Sequence, residues 1–410
     1  MTVVTLREES KAQGDFYVPR YEIKISGVSL PQNVLRDVIQ VTYKDSIKEL
    51  DSFELSVNNW DANLRTFKYV GSESKDSLHE GSSKFNPLHR LFEPCRHPVE
   101  VFMGYGGKLS LMLKGNFTTM EPNFPSGGAS TLSVRGLNVL HRLRTTQYTH
   151  SWIKEKDSNI AKSFEKLPDP ANRGKKRFPI PIEINKEALS KEERIEYVAQ
   201  NNQYDIEFLL ARARRLGYVI FIKEEKKDKQ GRVIEPERLY FGPSDTDNRG
   251  LVTFELKWGL SLIDFKPTLT TANQVKSVTV NGWNRATRKP IVGRASLDDK
   301  RFRLNGDLHK LLAKCDAREE RVVNEPIFTQ KEADKRARAI LLDRSKELVK
   351  ASGTCVGLPA LRAGQRVLIG NVGMRFDGEY FVTETTHTIG ESGYTTKFSA
   401  RREDPSHEEK

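Results

Sequence analysis

The stretch that decides the fold lies near the end of the chain and reads GLPALRAGQRVLI at residues 357–369. It is followed by FDGEYFVT at 376–383 and by GYTTKFSARR at 393–402. Apolar and polar residues alternate in these segments, and Gly and Pro residues interrupt them. Alternation with a period of two is typical of strands that bury one face, and Gly and Pro favour the turns between strands. The sequence therefore predicts three or four short β-strands here.

The same alternation recurs in the first 150 residues. In SFELSV at 52–57, Phe53, Leu55 and Val57 fall on one face of a strand. Two further apolar alternations, 99–103 and 109–113, are separated by GYGG at 104–107, which favours a hairpin. These patterns predict a first β-rich domain at 1–150 and a second at 273–402, where strands resume.

The segment between them, 151–272, changes period. DIEFLLARARRL at 205–216 places its apolar residues at helical spacing, and Gly217 follows where a helix C-cap prefers glycine. Two apolar strand patterns come next, at 218–222 and 239–242. We therefore expect a small α/β unit inserted between the two β-rich domains.

One long helix is predicted within the second β-rich domain, near 329–350. It opens on TQKE at 329–332, a capping box in which Thr329 and Glu332 satisfy each other's backbone amides. Its apolar stripe consists of Ala333, Ala337, Ile340, Leu341 and Leu348. Small alanines at two of these positions would let the helix lie close against a sheet.

Length and composition restrict the class of protein. A chain of 410 residues is too long for one ordinary core and favours two or three domains. No apolar stretch approaches the roughly 20 residues of a membrane helix, and the first residues lack the pattern of a secretory signal. Three scattered cysteines, Cys95, Cys315 and Cys355, favour a reducing compartment and argue against a disulfide framework or a zinc site.

The formal net charge of +12 invites a nucleic-acid interpretation, because basic surfaces attract phosphate chains. Lysine and arginine are nevertheless spread along the sequence and mixed with acids. The sharpest basic run, RGKKR at 173–177, lies among prolines in an expected loop. Contact with acidic neighbours in a large assembly explains the excess equally well, so a basic nucleic-acid-binding module stays an alternative.

No catalytic, cofactor-binding or metal-binding residues are predicted, and we expect no enzyme and no cofactor. The eight histidines do not cluster, and no metalloprotease, zinc or nucleophile-elbow motif is present. His387 as a general base competes with a half-buried sheet histidine, and Cys355 as a nucleophile competes with an apolar filler. A carboxylate pair of the glycosidase kind stays open. Four tryptophans suit either stacking on bases or sugars or, as we favour, anchoring cores: Trp60, Trp152, Trp258 and Trp283.

The ordered set of segments resembles the phage late control protein D family. Besides the closing stretch, it includes DSFELSVNNWD at 51–61, the helix and turn at 205–218, VTVNGWN at 278–284 and EPIFTQKEA at 325–333. The likeness spans about residues 20 to 402. The resemblance implies an α+β, mostly β fold, with two β-barrel-like hub domains flanking the small α/β insert. It further implies a homotrimeric ring with pseudo-sixfold symmetry.

The function that the resemblance implies is structural. Hubs of this family join the sixfold inner tube to the threefold spike in the baseplate of a contractile phage tail or injection system. Related type VI spikes continue into further domains after the last strand, whereas here a polar run, 403–410, follows it. We therefore expect a separate spike protein among the partners, together with an inner tube protein or tube initiator and other baseplate proteins.

The implied setting is cytoplasmic during assembly and then a virion or extracellular particle. Specific nucleic acid and membrane insertion are not expected. A tail-associated cell-wall hydrolase remains an alternative from the enzyme class.

Overall fold

Strands dominate the structure, a computed structural model, as the mostly β α+β class predicts. The structure describes residues 2–5, 16, 18–106, 108–170, 174, 176–178, 180–223, 225–227, 230, 232–244, 252–285, 287–297 and 318–402. Within these ranges no helix is both long and apolar enough to cross a membrane. The basic run at 173–177 is described only in part, and Cys315 and the polar run 403–410 lie outside the described residues.

The first part of the chain consists mainly of antiparallel strands. They are β1 (Thr2–Thr5), β2 (Pro19–Ile25), β3 (Val28–Ser29), β4 (Val38–Ser46), β5 (Ser52–Asn58), β6 (Trp60–Asp61), β7 (Thr66–Phe67), β8 (Pro98–Tyr105), β9 (Lys108–Asn123) and β10 (Thr131–Asn138). Short helices α1 (Gln32–Leu35) and α2 (Lys75–Leu78) and 3₁₀ turns at Pro87–Arg90 and Val139–Arg144 connect them. In β5 the predicted residues Phe53, Leu55 and Val57 are all buried, because alternate side chains of a strand share a face.

The middle part combines helices and strands around its own core. Its strands are β11 (Gln147–Glu155), β12 (Ile182–Ile184), β13 (Ile195–Tyr204), β14 (Val219–Lys223), β15 (Lys226–Lys227), β16 (Val233–Glu235) and β17 (Arg238–Gly242). Its helices are α3 (Asp157–Ser163), α4 (Lys186–Lys191) and α5 (Asp205–Leu216), with a 3₁₀ turn at Phe164–Lys166. Helix α5 ends as predicted, because Gly217 adopts the left-handed conformation, with φ of 70°.

The last part returns to strands. They are β18 (Val252–Lys257), β19 (Leu262–Leu269), β20 (Val275–Asn284), β21 (Lys289–Ser296), β22 (Arg318–Val322), β23 (Val349–Val356), β24 (Arg366–Gly370), β25 (Gly378–Gly390) and β26 (Gly393–Arg401), with helix α6 (Gln330–Lys346) before β23. The strands expected from the closing stretch are thus confirmed as β24, β25 and β26. The boundaries at 150 and 272 stay predictions; β18 and β19, which precede the second, pair with β24 and β23, which follow it.

One 14-stranded sheet joins the first and last parts of the chain. Strand β25 makes this connection, because its beginning pairs with β24 and its residues from Glu384 to Ile389 pair with β4. Along its other edge it pairs with β26, and that register shifts between Val382 and Glu384. The irregularity at Thr383 therefore lies between the residues of β25 that pair with β24 and those that pair with β4.

The prediction of two β-barrel-like domains is wrong as regards the barrels. None of the described sheets closes on itself. The large sheet ends at β1, β3 and β19, each of which has a described partner on one side only. A barrel forms when its first and last strands pair. Here β25 pairs both with β24 of the last part of the chain and with β4 of the first part. The sheet therefore continues from one part into the other and does not close.

Helix α6 confirms the predicted stripe at Ala333, Ala337 and Leu341, which are buried against the core formed with β20 and β21. The helix is shorter than the predicted 329–350, because it ends at Lys346 and β23 begins at Val349; Leu348 is buried but lies beyond the helix. A Cβ added to Gly293 of β21 would overlap the carbonyl carbon of Ala333, so helix and sheet meet backbone to backbone. Thr329 Oγ1 accepts from the Glu332 amide at 3.2 Å, as predicted. The Glu332 carboxylate accepts from the Phe328 amide, one residue before the expected Thr329 amide.

Candidate functional site

A buried polar cluster surrounds His387, at the place where β25 connects the first and last parts of the chain. The imidazole Nε2 is 3.0 Å from the carbonyl oxygen of Leu361 and 3.2 Å from Thr385 Oγ1. Its Nδ1 is 3.0 Å from the hydroxyl of Tyr394 and 3.1 Å from that of Thr396. A carbonyl only accepts, so Nε2 carries the proton and Nδ1 accepts. Burial holds the pKa of His387 well below its usual value, so the ring is neutral.

The carboxylate of Asp45, on β4, ties three segments together in the same cluster. It accepts hydrogen bonds from the Thr385 hydroxyl and from the Ala363 amide, the latter at 3.0 Å. The guanidinium of Arg362 lies 3.9 Å away. Burial raises the pKa of Asp45, while the positive charge of Arg362 and the Thr385 hydrogen bond act in the opposite direction. Asp45 thus binds the loop before β24 to the strand pair β4–β25.

Arg362 connects this cluster to β9, in the first part of the chain. Its guanidinium donates to the carbonyl oxygens of Leu111 and Met112, on β9, at 3.0 and 3.2 Å. The guanidinium carbon lies 4.6 Å from the ring centroid of Tyr43, within the range of a cation–π interaction. One side chain therefore satisfies backbone groups of β9 and faces a carboxylate of β4.

A second buried carboxyl, Asp51, lies near Asp45. It accepts from the side-chain amide of Asn138 at 3.0 Å and from the backbone amide of Ser46 at 3.4 Å. Burial, together with the negative charge of Asp45, raises the pKa of Asp51 to about 7. Two carboxyl groups so placed resist simultaneous ionisation, so Asp51 is the one that holds a proton near neutral pH.

The proton on Asp51 gives a testable pH dependence. The unfolded chain loses this proton near pH 4, whereas the folded chain keeps it to about pH 7. The stabilisation is therefore fully present below pH 4 and is lost as the pH rises through about 7, at about 1.4 kcal/mol for each tenfold difference in proton affinity. We expect Asp51→Asn to weaken the fall in unfolding free energy between pH 5 and pH 8, measured by urea titration. Asp76→Asn, at an exposed carboxylate, is the control; equal pH dependence in wild type and Asp51→Asn would contradict the assignment.

The side chains considered for catalysis are closed off. The Cys355 thiol is fully buried, 3.5 Å from the carbonyl oxygen of Thr396, and burial raises the pKa of the thiol. A thiol in such surroundings is inert, which agrees with the apolar-filler interpretation. His387 is buried completely rather than half-buried. In the described ranges no group of His, Cys, Asp or Glu residues could hold a metal ion.

The tryptophans divide between core and surface. Trp152 is buried and stacks on Phe208 with ring centroids 5.3 Å apart, as the core interpretation predicts. Trp60 is partly buried. For Trp258 and Trp283 that interpretation is wrong, because they are 57% and 53% exposed. Alternation along a strand indicates a face but not whether another element covers that face.

Exposed apolar side chains lie in the turns that follow two neighbouring inner strands of the large sheet. These strands are β18 and β24, which run parallel, and the amide of Trp258 donates to the carbonyl oxygen of Gly370 at 3.1 Å. The turns that follow expose Trp258, Leu260 and Met374, the last of which is 93% exposed. We call these two turns, 258–261 and 371–377, the apolar turns. Exposed side chains of this size suit contact with another protein.

The sequence of residues 18–391 matches the family described as the Alg8 N-terminal domain. No curated protein sequence matches this chain. The name late control protein D is not the one that matches and stays a prediction.

Solved structures share the fold over nearly the whole chain. The 43 kDa tail protein of prophage MuSo2 from Shewanella oneidensis is 15% identical, with a TM-score of 0.62 over 94% of this chain and 99% of that one. A tail protein from Neisseria meningitidis MC58 is 12% identical, with a TM-score of 0.60 over 94% and 97%. An E. coli type VI secretion component, described as structurally similar to T4 tail proteins gp27 and gp5, is 12% identical, with a TM-score of 0.52 over 92% and 76%.

The expected likeness to tail and baseplate proteins is therefore confirmed at the level of the fold. Because the match over residues 18–391 covers most of the sequence, the chain belongs to the Alg8 N-terminal domain family.

Proposed function

We propose that this chain is a structural baseplate hub of a contractile phage tail or contractile injection system, joining a sixfold inner tube to a threefold spike. The observation that carries the proposal is the likeness to the Shewanella tail protein, which extends over 94% of this chain and 99% of that one. Fold alone does not define function. The near-complete coverage nevertheless favours a tail component over an unrelated protein that shares one module.

The proposed assembly is a homotrimer with pseudo-sixfold symmetry. Each chain would contribute two hub domains, 1–150 and 273–402, with the α/β insert 151–272 beside them. Three copies of two β-rich units make six, and closed homo-oligomers of this kind are common. The one-sided strands β1, β3 and β19 offer edges for pairing between copies, and the apolar turns offer side chains for contact.

The proposed partners are an inner tube protein or tube initiator, a separate spike protein and other baseplate proteins. The role needs neither specific nucleic acid nor membrane insertion. Assembly would take place in the cytoplasm, and the finished hub would belong to a virion or an extracellular particle.

A non-enzymatic role is part of the proposal. The burial of His387 and Cys355 argues against either as a catalytic group, and the tail proteins of similar fold favour a structural role. The hydrolase alternative has no described site to support it. Contact with acidic partner surfaces accounts for the charge of +12 without nucleic acid.

Co-expression with the tube and spike candidates encoded beside its gene tests the function. A tag on this chain should co-purify both proteins, in a complex that survives gel filtration. Binding of neither candidate would overturn the proposal. Hydrolysis of peptidoglycan by the pure chain, abolished by one point substitution, would favour the hydrolase instead.

A further inference from the structure

A groove with a volume of about 400 Å³ lies on the solvent face of β19, β23, β26 and β25. It reaches the place where β25 changes partner, and the Ile47 amide donates to the Thr383 carbonyl oxygen there at 3.0 Å. This contact brings the turn after β4, with Lys48, to the flank of the groove. Four of its lining side chains carry hydroxyl groups: Thr268, Ser352, Thr383 and Ser399.

The groove is strongly basic. Its lining includes four cationic side chains, Lys48, Lys266, Lys350 and Arg401, against one carboxylate, Glu347. Glu347 pairs with Lys350. Lys48 and Lys266 are both exposed, and no carboxylate among the described residues forms an ion pair with either. Together with the hydroxyl groups, these ammonium groups make a surface that favours carboxylates.

The sequence that follows the groove-lining residue Arg401 is acidic. Arg401, the last residue of β26, lines the groove, and the sequence continues after Arg402 with EDPSHEEK at 403–410. That segment has four acidic residues and one lysine. Its charge is therefore opposite to that of the groove.

The length of the segment is sufficient. Eight residues span up to about 28 Å when extended. From β26 to β19 the groove crosses two strand spacings, which is about 10 Å. Carboxylates in 403–410 can therefore reach Lys350 and Lys266 without any rearrangement of the strands.

We propose that this basic groove is the docking site for the acidic segment 403–410 of the same chain. Thr268, Lys350 and Arg401 are cross-strand neighbours, so they present one row of polar groups to it. The proposal goes beyond the hub function and does not depend on it, because groove and segment belong to one polypeptide.

Zero-length carbodiimide cross-linking of the purified full chain at low salt, read by mass spectrometry, tests the proposal. Carboxylates of 403–410 should join Lys48, Lys266 and Lys350 in the monomer band, and 0.5 M salt should suppress these products, since it screens exposed charges. In the double variant Lys48→Glu, Lys266→Glu, the yield at the remaining Lys350 should fall about tenfold. Lys397→Glu, an exposed change on β26 outside the groove lining, should leave that yield unchanged.

A charge-swapped variant shows whether a loss of cross-links reflects lost charge attraction or a disturbed fold. Adding Glu403→Lys and Asp404→Lys to the double variant should restore cross-links between groove and segment, now of reversed polarity. Melting temperatures close to wild type would show that the exposed substitutions preserve the fold. Cross-links spread evenly over surface lysines, or unchanged in the double variant, would overturn the proposal. Cross-links found only in a dimer band would assign the groove to a second copy and would equally overturn it.

Discussion

Leu341→Asp is expected to lower the free energy of unfolding by at least about 4 kcal/mol. Leu341 is 1% exposed and lies on α6 among the buried residues that join the helix to β20 and β21. The substitution removes a buried aliphatic side chain and places an unpaired charge there. Chemical denaturation followed by circular dichroism measures the loss.

Leu342→Asp is the matched control, because the next side chain along the helix is 36% exposed. It should change stability by about 0.5 kcal/mol or less. If Leu341→Asp kept the stability of the wild type, the stripe of α6 would face solvent and the packing described here would be wrong.

Arg362→Ala is expected to cost about 3–5 kcal/mol, the range for removing one partner of a buried ion pair. The change leaves Asp45 without its facing cation and deprives the carbonyl oxygens of Leu111 and Met112 of their donor. Because this side chain links the loop before β24 to β9 and β4, the backbone amides of these segments should lose protection in hydrogen exchange. Urea titration measures the loss of free energy.

Two controls separate geometry from charge. Arg362→Lys keeps the charge without the fork of donors, so its loss should be intermediate. Arg135→Ala removes an exposed arginine that pairs with Glu54 and Glu121, and should cost less than about 1 kcal/mol. A loss for Arg362→Ala no larger than that for Arg135→Ala would contradict the role given to the cluster.

Local features were predictable because their causes are local. The stripe of α6, the glycine that ends α5 and the buried face of β5 each follow from spacing within one segment. The partners of β25 do not, because alternation fixes which side chains share a face and leaves the neighbouring strand open. The prediction of β-barrels was wrong for this reason.

Residue type alone did not identify the buried cluster around His387. His387 and Cys355 stood out by residue type, and burial decided between their alternatives. Asp45 and Arg362 carry no motif, and their partners lie far along the chain, since Ala363 and Asp45 are 318 residues apart. The pairing of β25 with both β4 and β24 brings these groups together.

The most direct test of the hub function is electron cryomicroscopy of the complex that co-purifies with the tube and spike candidates. If this chain is the hub, the reconstruction will show three copies of it around an open axis, with tube protein on one face and spike protein on the other. A single copy, or a ring that contacts only one of the two partners, would contradict it.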